Sequence, residues 1–219
     1  QHVYFQVGLQ ASNTGSHGRG KEVTTVAIPG FWHDTDIAGP GHKQANLPED
    51  LAAAKDLIFS LPLPPTLIVY SGGGIYPFWL FMNPWEFTDD ADREKAKALS
   101  VRFQTFINIQ GSKRGYKLDS TANLDRLLRI PGSQNMKDLA HPRPVQVISY
   151  EPANRYPPYE IEQALPPVTN APAVAKQMAP KCMATTTSPQ FPLADFEKVK
   201  ANCSWVYHCV VDAVSLPEP

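Results

Sequence analysis

Apolar and polar positions alternate in short runs along the first two thirds of the chain, separated by stretches with helical spacing. Val3 to Leu9 reads as a strand, followed by a polar loop that ends in Arg19-Gly20-Lys21. Val23 to Ile28 reads as a second strand, stopped by Pro29-Gly30. Phe31 to Ile37 then resumes the alternation, which puts Trp32, Asp34 and Asp36 on one face and Phe31, His33, Thr35 and Ile37 on the other. Pro48-Glu49-Asp50 opens a helix in which Leu51, Ala54, Leu57 and Ile58 share a face, with Pro62 just past its end. Leu67 to Ser71 and Tyr76 to Met82 predict two strands joined through Gly72-Gly73-Gly74. Asp89 to Ile109 predicts the longest helix, with an apolar stripe of Leu99, Phe103, Phe106 and Ile107. Tyr116 to Asp119 predicts a short strand, and Leu124, Leu127 and Leu128 a further helix closed by Ile130-Pro131-Gly132. Hairpins and helices interleave, so the expected fold is α+β, a mixed and mostly antiparallel sheet with helices packed on it, rather than a doubly wound parallel sheet.

The last third is built differently. More than half of the 22 prolines lie from Pro142 onward, with Pro-Pro pairs at 157-158 and 166-167. The division this predicts is a compact domain over 1–150, a proline-rich strap over 151–190, and a helical segment over 191–219 that begins a following domain. No internal repeat is present. The ends, Gln1 and Leu216-Pro217-Glu218-Pro219, read as cuts through a longer polypeptide.

A hydrophobic share of 42% in 219 residues is enough for a buried core. Lys and Arg number 20 against 21 Asp and Glu, so bulk charge does not attract nucleic acid, and any such binding needs a local patch. No run has the length of a membrane-spanning helix and no secretory signal opens the chain, which predicts an intracellular protein with no membrane partner. Cys182, Cys203 and Cys209 are too few for a disulfide scaffold, and with His208 they lack the close pairing of a zinc site, so they read as structural thiols.

Three segments carry candidate chemistry. Asp34 and Asp36, two apart on a strand, project to one side, where they either solvate a strand end or hold a divalent cation between them. Ser71-Gly72-Gly73-Gly74 is either a tight hairpin or a cradle of backbone N–H groups for an anion, and it lacks the Lys-Ser/Thr ending of a P-loop. Asp119 is followed by Arg126 to Lys137, in which Arg126 and Arg129 are expected on one helical face and Ser133, Asn135 and Lys137 return as donors after Pro131-Gly132. The plain alternative there is an Asp125–Arg129 pair along the helix. His42-Lys43, Lys113-Arg114 and Arg19-Lys21 are further cations for phosphates or template, or ordinary solvated surface.

Taken in order, the segments resemble motifs I, II and III of the archaeo-eukaryotic primase superfamily, most closely the primase-polymerase domains of phages and plasmids. The match covers about Val3 to Ile148: His33-Asp34-Thr35-Asp36-Ile37 for motif I, Ser71 to Trp79 for motif II, and Asp119 with Arg129 to Lys137 for motif III. Tyr76 stands where the family usually has a motif II histidine, and Ser133 where it usually has a threonine.

The resemblance implies a template-dependent nucleotidyltransferase that makes or extends primers on a single-stranded DNA template. It implies two divalent ions, Mg2+ or Mn2+, on Asp34, Asp36 and Asp119. Ser71, Gly72, Gly73 and Tyr76 would hold the triphosphate of a dNTP or NTP, with Arg126, Arg129, Asn135 and Lys137 as the wall against nucleotide or template. A helicase domain often follows in such proteins. Competing expectations are a nucleotide-sugar glycosyltransferase, a metal-dependent nuclease, and a replication-origin or single-strand binding module without catalysis.

Overall fold

In the computed structural model, residues 3–15, 18–39 and 46–167 are described. The strap beyond 167, the expected segment over 191–219 with all three cysteines, and His42-Lys43 lie outside them. The fold is mixed α+β. Its main sheet has six antiparallel strands in the order β10 (Gln146–Tyr150), β5 (Leu67–Tyr70), β6 (Gly74–Glu86), β3 (Thr25–Trp32) and β2 (Leu9–Gln10), with β4 (Thr35–Asp36) also paired to β6. Two small ladders join β1 (Tyr4–Gln6) to β7 (Leu127–Arg129) and β8 (Gln134–Asn135) to β9 (Arg143–Pro144).

Helix α1 (Leu51–Phe59) begins where the Asp50 carboxylate accepts from the Ala53 N–H at 2.9 Å, and α2 (Asp90–Lys113) where Asp89 accepts from the Asp92 N–H at 2.8 Å. Each cap satisfies a donor that the first helical turn leaves without a partner. Helix α2 packs on β3, α1 on β6, and the two helices touch. Between α2 and the sheet, the Phe31 ring stacks on Phe103 with centroids 5.6 Å apart and Trp79 meets Phe103 edge-on at 4.8 Å. Such ring pairs add to the free energy of burying large apolar side chains.

Several local expectations yield to long-range pairing. The run Val3 to Leu9 is not one strand. It divides at Val7-Gly8, where a Cβ on Gly8 would lie 2.2 Å from the Leu124 carbonyl oxygen, so that β1 joins β7 and β2 joins β3. Pro29-Gly30 does not stop its strand either. Ile28 pairs with Trp85 and Gly30 with Leu80, a register shift opposite Pro29 where the ladder does not require a proline donor.

Tyr116 to Asp119 runs without ladder partners. Leu124 to Leu128, expected as a helix, holds instead the strand β7: Val7 donates to the Arg126 carbonyl and Ile130 to that of Val3, both from the chain's beginning. A helix so short before Pro131 lacks the length to pay its nucleation cost, and a ready-made strand partner outcompetes it. Pro131 and Gly132, with φ +86° at the glycine and Ser133 donating to the Ile130 carbonyl, form a turn that suits this pair of residues.

Within the span expected as a strap, residues 158–164 form α3 (Pro158–Ala164), with proline in the first helical turn. Ile161 is fully buried, and Tyr156 bridges to Phe81 on the long strand.

Candidate functional site

The Asp-x-Asp segment lies against the glycine hairpin. Asp36 in β4 faces Gly74 at the start of β6, and the Ile37 N–H donates to the Gly73 carbonyl at 3.0 Å. Glycine at 74 is what permits this approach, since a Cβ there would sit 2.4 Å from the Thr35 carbonyl oxygen and 2.8 Å from the Asp36 Cα. The hairpin closes through the Ser71 N–H to the Gly74 carbonyl, with Gly72 left-handed at φ +80°. Among the described residues, no hydrogen bond takes up the N–H of Gly72 or Gly73.

The alternation expected over 31–37 holds in burial from His33 to Asp36, with His33 and Thr35 fully buried and Asp34 and Asp36 half-buried on the other face, while Ile37 is only partly buried. Trp32, which shares the aspartates' face, is covered. Its indole N–H donates to the Thr121 carbonyl at 3.1 Å, so the segment just after Asp119 lies over the strand end beside the acidic pair. Burial and then the charge of Asp34 push the Asp36 carboxyl up to about 6, with Asp119 adding to the rise and Lys137 and Arg126 opposing it. Asp34 accepts a hydrogen bond from Arg126 at 2.8 Å in a partly buried ion pair.

Oxygen donors of this kind suit a hard cation such as Mg2+ or Mn2+. Asp34, Asp36 and Asp119 are the residues that would hold such an ion. As folded, no group of three or more His, Cys, Asp or Glu side chains among the described residues is arranged as a ready ligand set, and Arg126 takes one oxygen of Asp34. Binding a cation on Asp34 therefore competes with that guanidinium.

The third segment reaches the same place from β7, but not from a helix face. Arg126 goes to Asp34, whereas Arg129 donates to the Tyr76 hydroxyl at 3.3 Å and lies 5.3 Å from the centre of the Tyr4 ring. Asp125 does not pair with Arg129; it meets Arg19 at 3.6 Å and accepts from Asn123. The Nε atoms of both Arg126 and Arg129 are buried with no hydrogen-bond acceptor. Tyr76 is itself buried, and burial followed by the Asp34 charge raises its hydroxyl pKa against the pull of Arg129 and Ser71. Asn135 donates from its amide to the Ser71 carbonyl at 3.0 Å and accepts from the Lys137 N–H at 3.1 Å, which ties the turn after β7 to the glycine hairpin. The Ser133 hydroxyl is spent on the Ile130 carbonyl within its own turn.

Sequence reasoning passed over three polar residues on α2. Ser100, Gln104 and Asn108 recur every four residues beside the apolar stripe, a spacing that puts them on one helical face. Ser100 donates to the Ala122 carbonyl, Gln104 bonds both Trp32 and Thr121, and Asn108 bonds His33 Nε2 at 3.0 Å while Thr35 bonds its Nδ1 at 2.8 Å. Burial depresses the His33 pKa, so the ring is held neutral against Asn108. A polar column next to an apolar one was the available signal. The basic residues Lys113 and Arg114, by contrast, are exposed at the end of α2.

No family model matches the chain, and no curated protein matches its sequence. Among solved structures, the chain is similar to the AEP domain of the cyanophage S-2L primase-polymerase. The TM-score is 0.53 at 18% sequence identity, covering 75% of this chain and 70% of that one. At this identity the likeness speaks for the fold, which is that of a primase-polymerase core.

Proposed function

We propose that this chain is the catalytic domain of a template-dependent nucleotidyltransferase of the archaeo-eukaryotic primase superfamily, one that makes or extends primers on single-stranded DNA. One observation carries the reading. An Asp-x-Asp strand, a Ser-Gly-Gly-Gly hairpin and an Arg-rich strand, remote along the chain, are tied to one another through Ile37–Gly73, Asn135–Ser71 and Arg126–Asp34.

In the reaction, a 3′-hydroxyl attacks the α-phosphorus of a dNTP or NTP and pyrophosphate leaves. Mg2+ or Mn2+ on Asp34, Asp36 and Asp119 would supply charge neutralisation at the attacking and leaving oxygens. The chain's own contribution is placement. The Gly72 and Gly73 N–H groups and the guanidinium groups of Arg126 and Arg129 offer donors to phosphate oxygens, and Lys137 lends charge toward Asp36. Tyr76 and Tyr4 hold the Arg129 guanidinium between them, so that Arg129 meets a triphosphate already oriented. The reading includes a partner domain such as a helicase in the full-length protein and a site of action inside the cell.

The test is primer synthesis on a defined single-stranded template with each nucleotide type and with Mg2+ or Mn2+. Asp34→Ala and Asp36→Ala are each expected to reduce addition by at least ~10³-fold with the fold retained. Parental rates in the double variant sink the assignment. A second reading, a single-strand binding module without catalysis, draws on the Arg126–Asp34 pair, which neutralises an aspartate with the chain's own arginine. Template binding without nucleotide addition under any of these conditions would favour it.

A further inference from the structure

We infer that Gln104 is a positioning residue that fixes Asp119 relative to Asp34 and Asp36; the inference deepens the functional reading above and rests on it. Asp34 and Asp36 are placed by the sheet, through the pairing of β4 with β6. Asp119 has no such support. It is exposed on a segment between α2 and β7 that belongs to no strand and makes no ladder.

Before Asp119 the Lys117 N–H donates to the Asn46 carbonyl at 2.7 Å, and after it, at Thr121 and Ala122, side chains hold the segment. The Gln104 amide is fully buried and spans two backbones: its Nε2 donates to the Trp32 carbonyl at 2.9 Å, and its Oε1 accepts from the Thr121 N–H at 2.5 Å and from the Thr121 hydroxyl at 3.3 Å. The Trp32 indole returns a bond to the Thr121 carbonyl, so every polar group of Thr121 is engaged. Ser100, one turn earlier on α2, secures the next residue by donating to the Ala122 carbonyl at 3.2 Å.

Trp32 stands two residues before Asp34, and Thr121 two after Asp119. The Gln104 amide, together with the Trp32 indole, thus joins the strand that leads into the acidic pair to the loop that carries the third carboxylate. A primary amide is the side chain suited to this, because it presents a donor and an acceptor at one end of a stem long enough to reach from a helix. Both backbone groups it satisfies are shut away from water, so losing it leaves a carbonyl and an N–H buried without partners and frees the segment to shift. A displacement of Asp119 is felt in cation affinity before it is felt elsewhere, since partners behind the ligands of a metal site commonly carry roughly 10- to 100-fold in affinity.

The experiment measures Mn2+ binding to the full chain without nucleotide, from the loss of the free-ion electron paramagnetic resonance signal. Gln104→Met, similar in length but without the amide, is expected to weaken Mn2+ by roughly ten-fold or more while its melting transition stays above the assay temperature. Leu99→Ala, a core truncation on the same helix, serves as the comparison: it lowers the melting temperature and leaves Mn2+ affinity at the parental value. Should Gln104→Met fail to fold, Gln104→Asn, which keeps the amide on a stem too short to span both backbones, takes its place with the same expected loss. Parental Mn2+ affinity in the Gln104 variant, or an equal loss in Leu99→Ala, overturns the inference. If the parent binds Mn2+ and the Gln104 variant does not, yet the parent adds no nucleotide, the polymerase reading fails and the positioning role stands. If the parent binds no Mn2+, both fall.

Discussion

Asp36 is the residue at which the candidate site shows its cost. Half-buried beside Asp34 and within the field of Asp119, its carboxyl is raised from 3.8 to about 6. The folded state therefore takes up its proton at a higher pH than the unfolded chain, and this group favours folding most strongly below about pH 4. That contribution declines as pH rises from about 4 to about 6 and is absent above. Asp36→Asn removes the buried charge, its repulsion by Asp34 and the titration. With divalent ions chelated, thermal melts across pH 4 to 8 are expected to show the Asn variant gaining stability over the parent as pH rises, and levelling above about pH 6. A constant difference across that range would mean that the Asp36 carboxyl is not raised in the folded protein.

The element that brings the acidic strand and the third segment together is the β5–β6 hairpin. Its turn accepts β4 on one side, through Gly73 and Gly74, and Asn135 on the other, where a Cβ on Gly72 would lie 2.7 Å from the Asn135 Cβ. Two demands therefore meet at Gly72, a left-handed backbone and a neighbour in contact, and alanine meets neither. Gly72→Ala is expected to destabilise the protein by about 1–3 kcal/mol in urea melts and to loosen the Asn135–Ser71 link. Chemical denaturation with an unchanged midpoint would show that the turn relaxes into another shape. The turn was legible from three consecutive glycines, but its role as the joint between two other segments was not, because the close approaches involve residues on both sides of it in sequence and more than 60 positions apart in one case. The strand Leu127–Arg129 was misjudged for the same reason: leucine and arginine suit a helix locally, and the β1 partner that overrides this choice lies at the other end of the domain.

At the scale of the molecule, α3 closes one side of the body. Ile161 and Leu165 are buried, Tyr156 donates to the Pro64 carbonyl, and Arg102 on α2 pairs with Glu162. A chain ending at residue 150 is therefore expected to melt below one ending at residue 167. The exposed Arg102–Glu162 pair adds little to that difference, and the loss of apolar burial accounts for most of it. Equal melting temperatures for the two would show that α3 is an appendage. No helix among the described residues is long and apolar enough to cross a membrane.

The chain's own order of residues determined its strands and helices wherever a side-chain period or a turn residue acts over a few positions: α1, α2, the glycine hairpin, and the alternation that buries His33 and leaves Asp34 and Asp36 facing outward. Short-range sterics and the partition of apolar groups from water are properties of neighbouring residues, so they can be read in sequence order. Which strand β7 would pair with, that Arg126 would meet Asp34, and that Gln104 would tie Trp32 to Thr121 were decided only in three dimensions. Each of those contacts joins groups far apart along the polymer, and its free energy exists only once the rest of the fold has brought them within reach of a hydrogen bond.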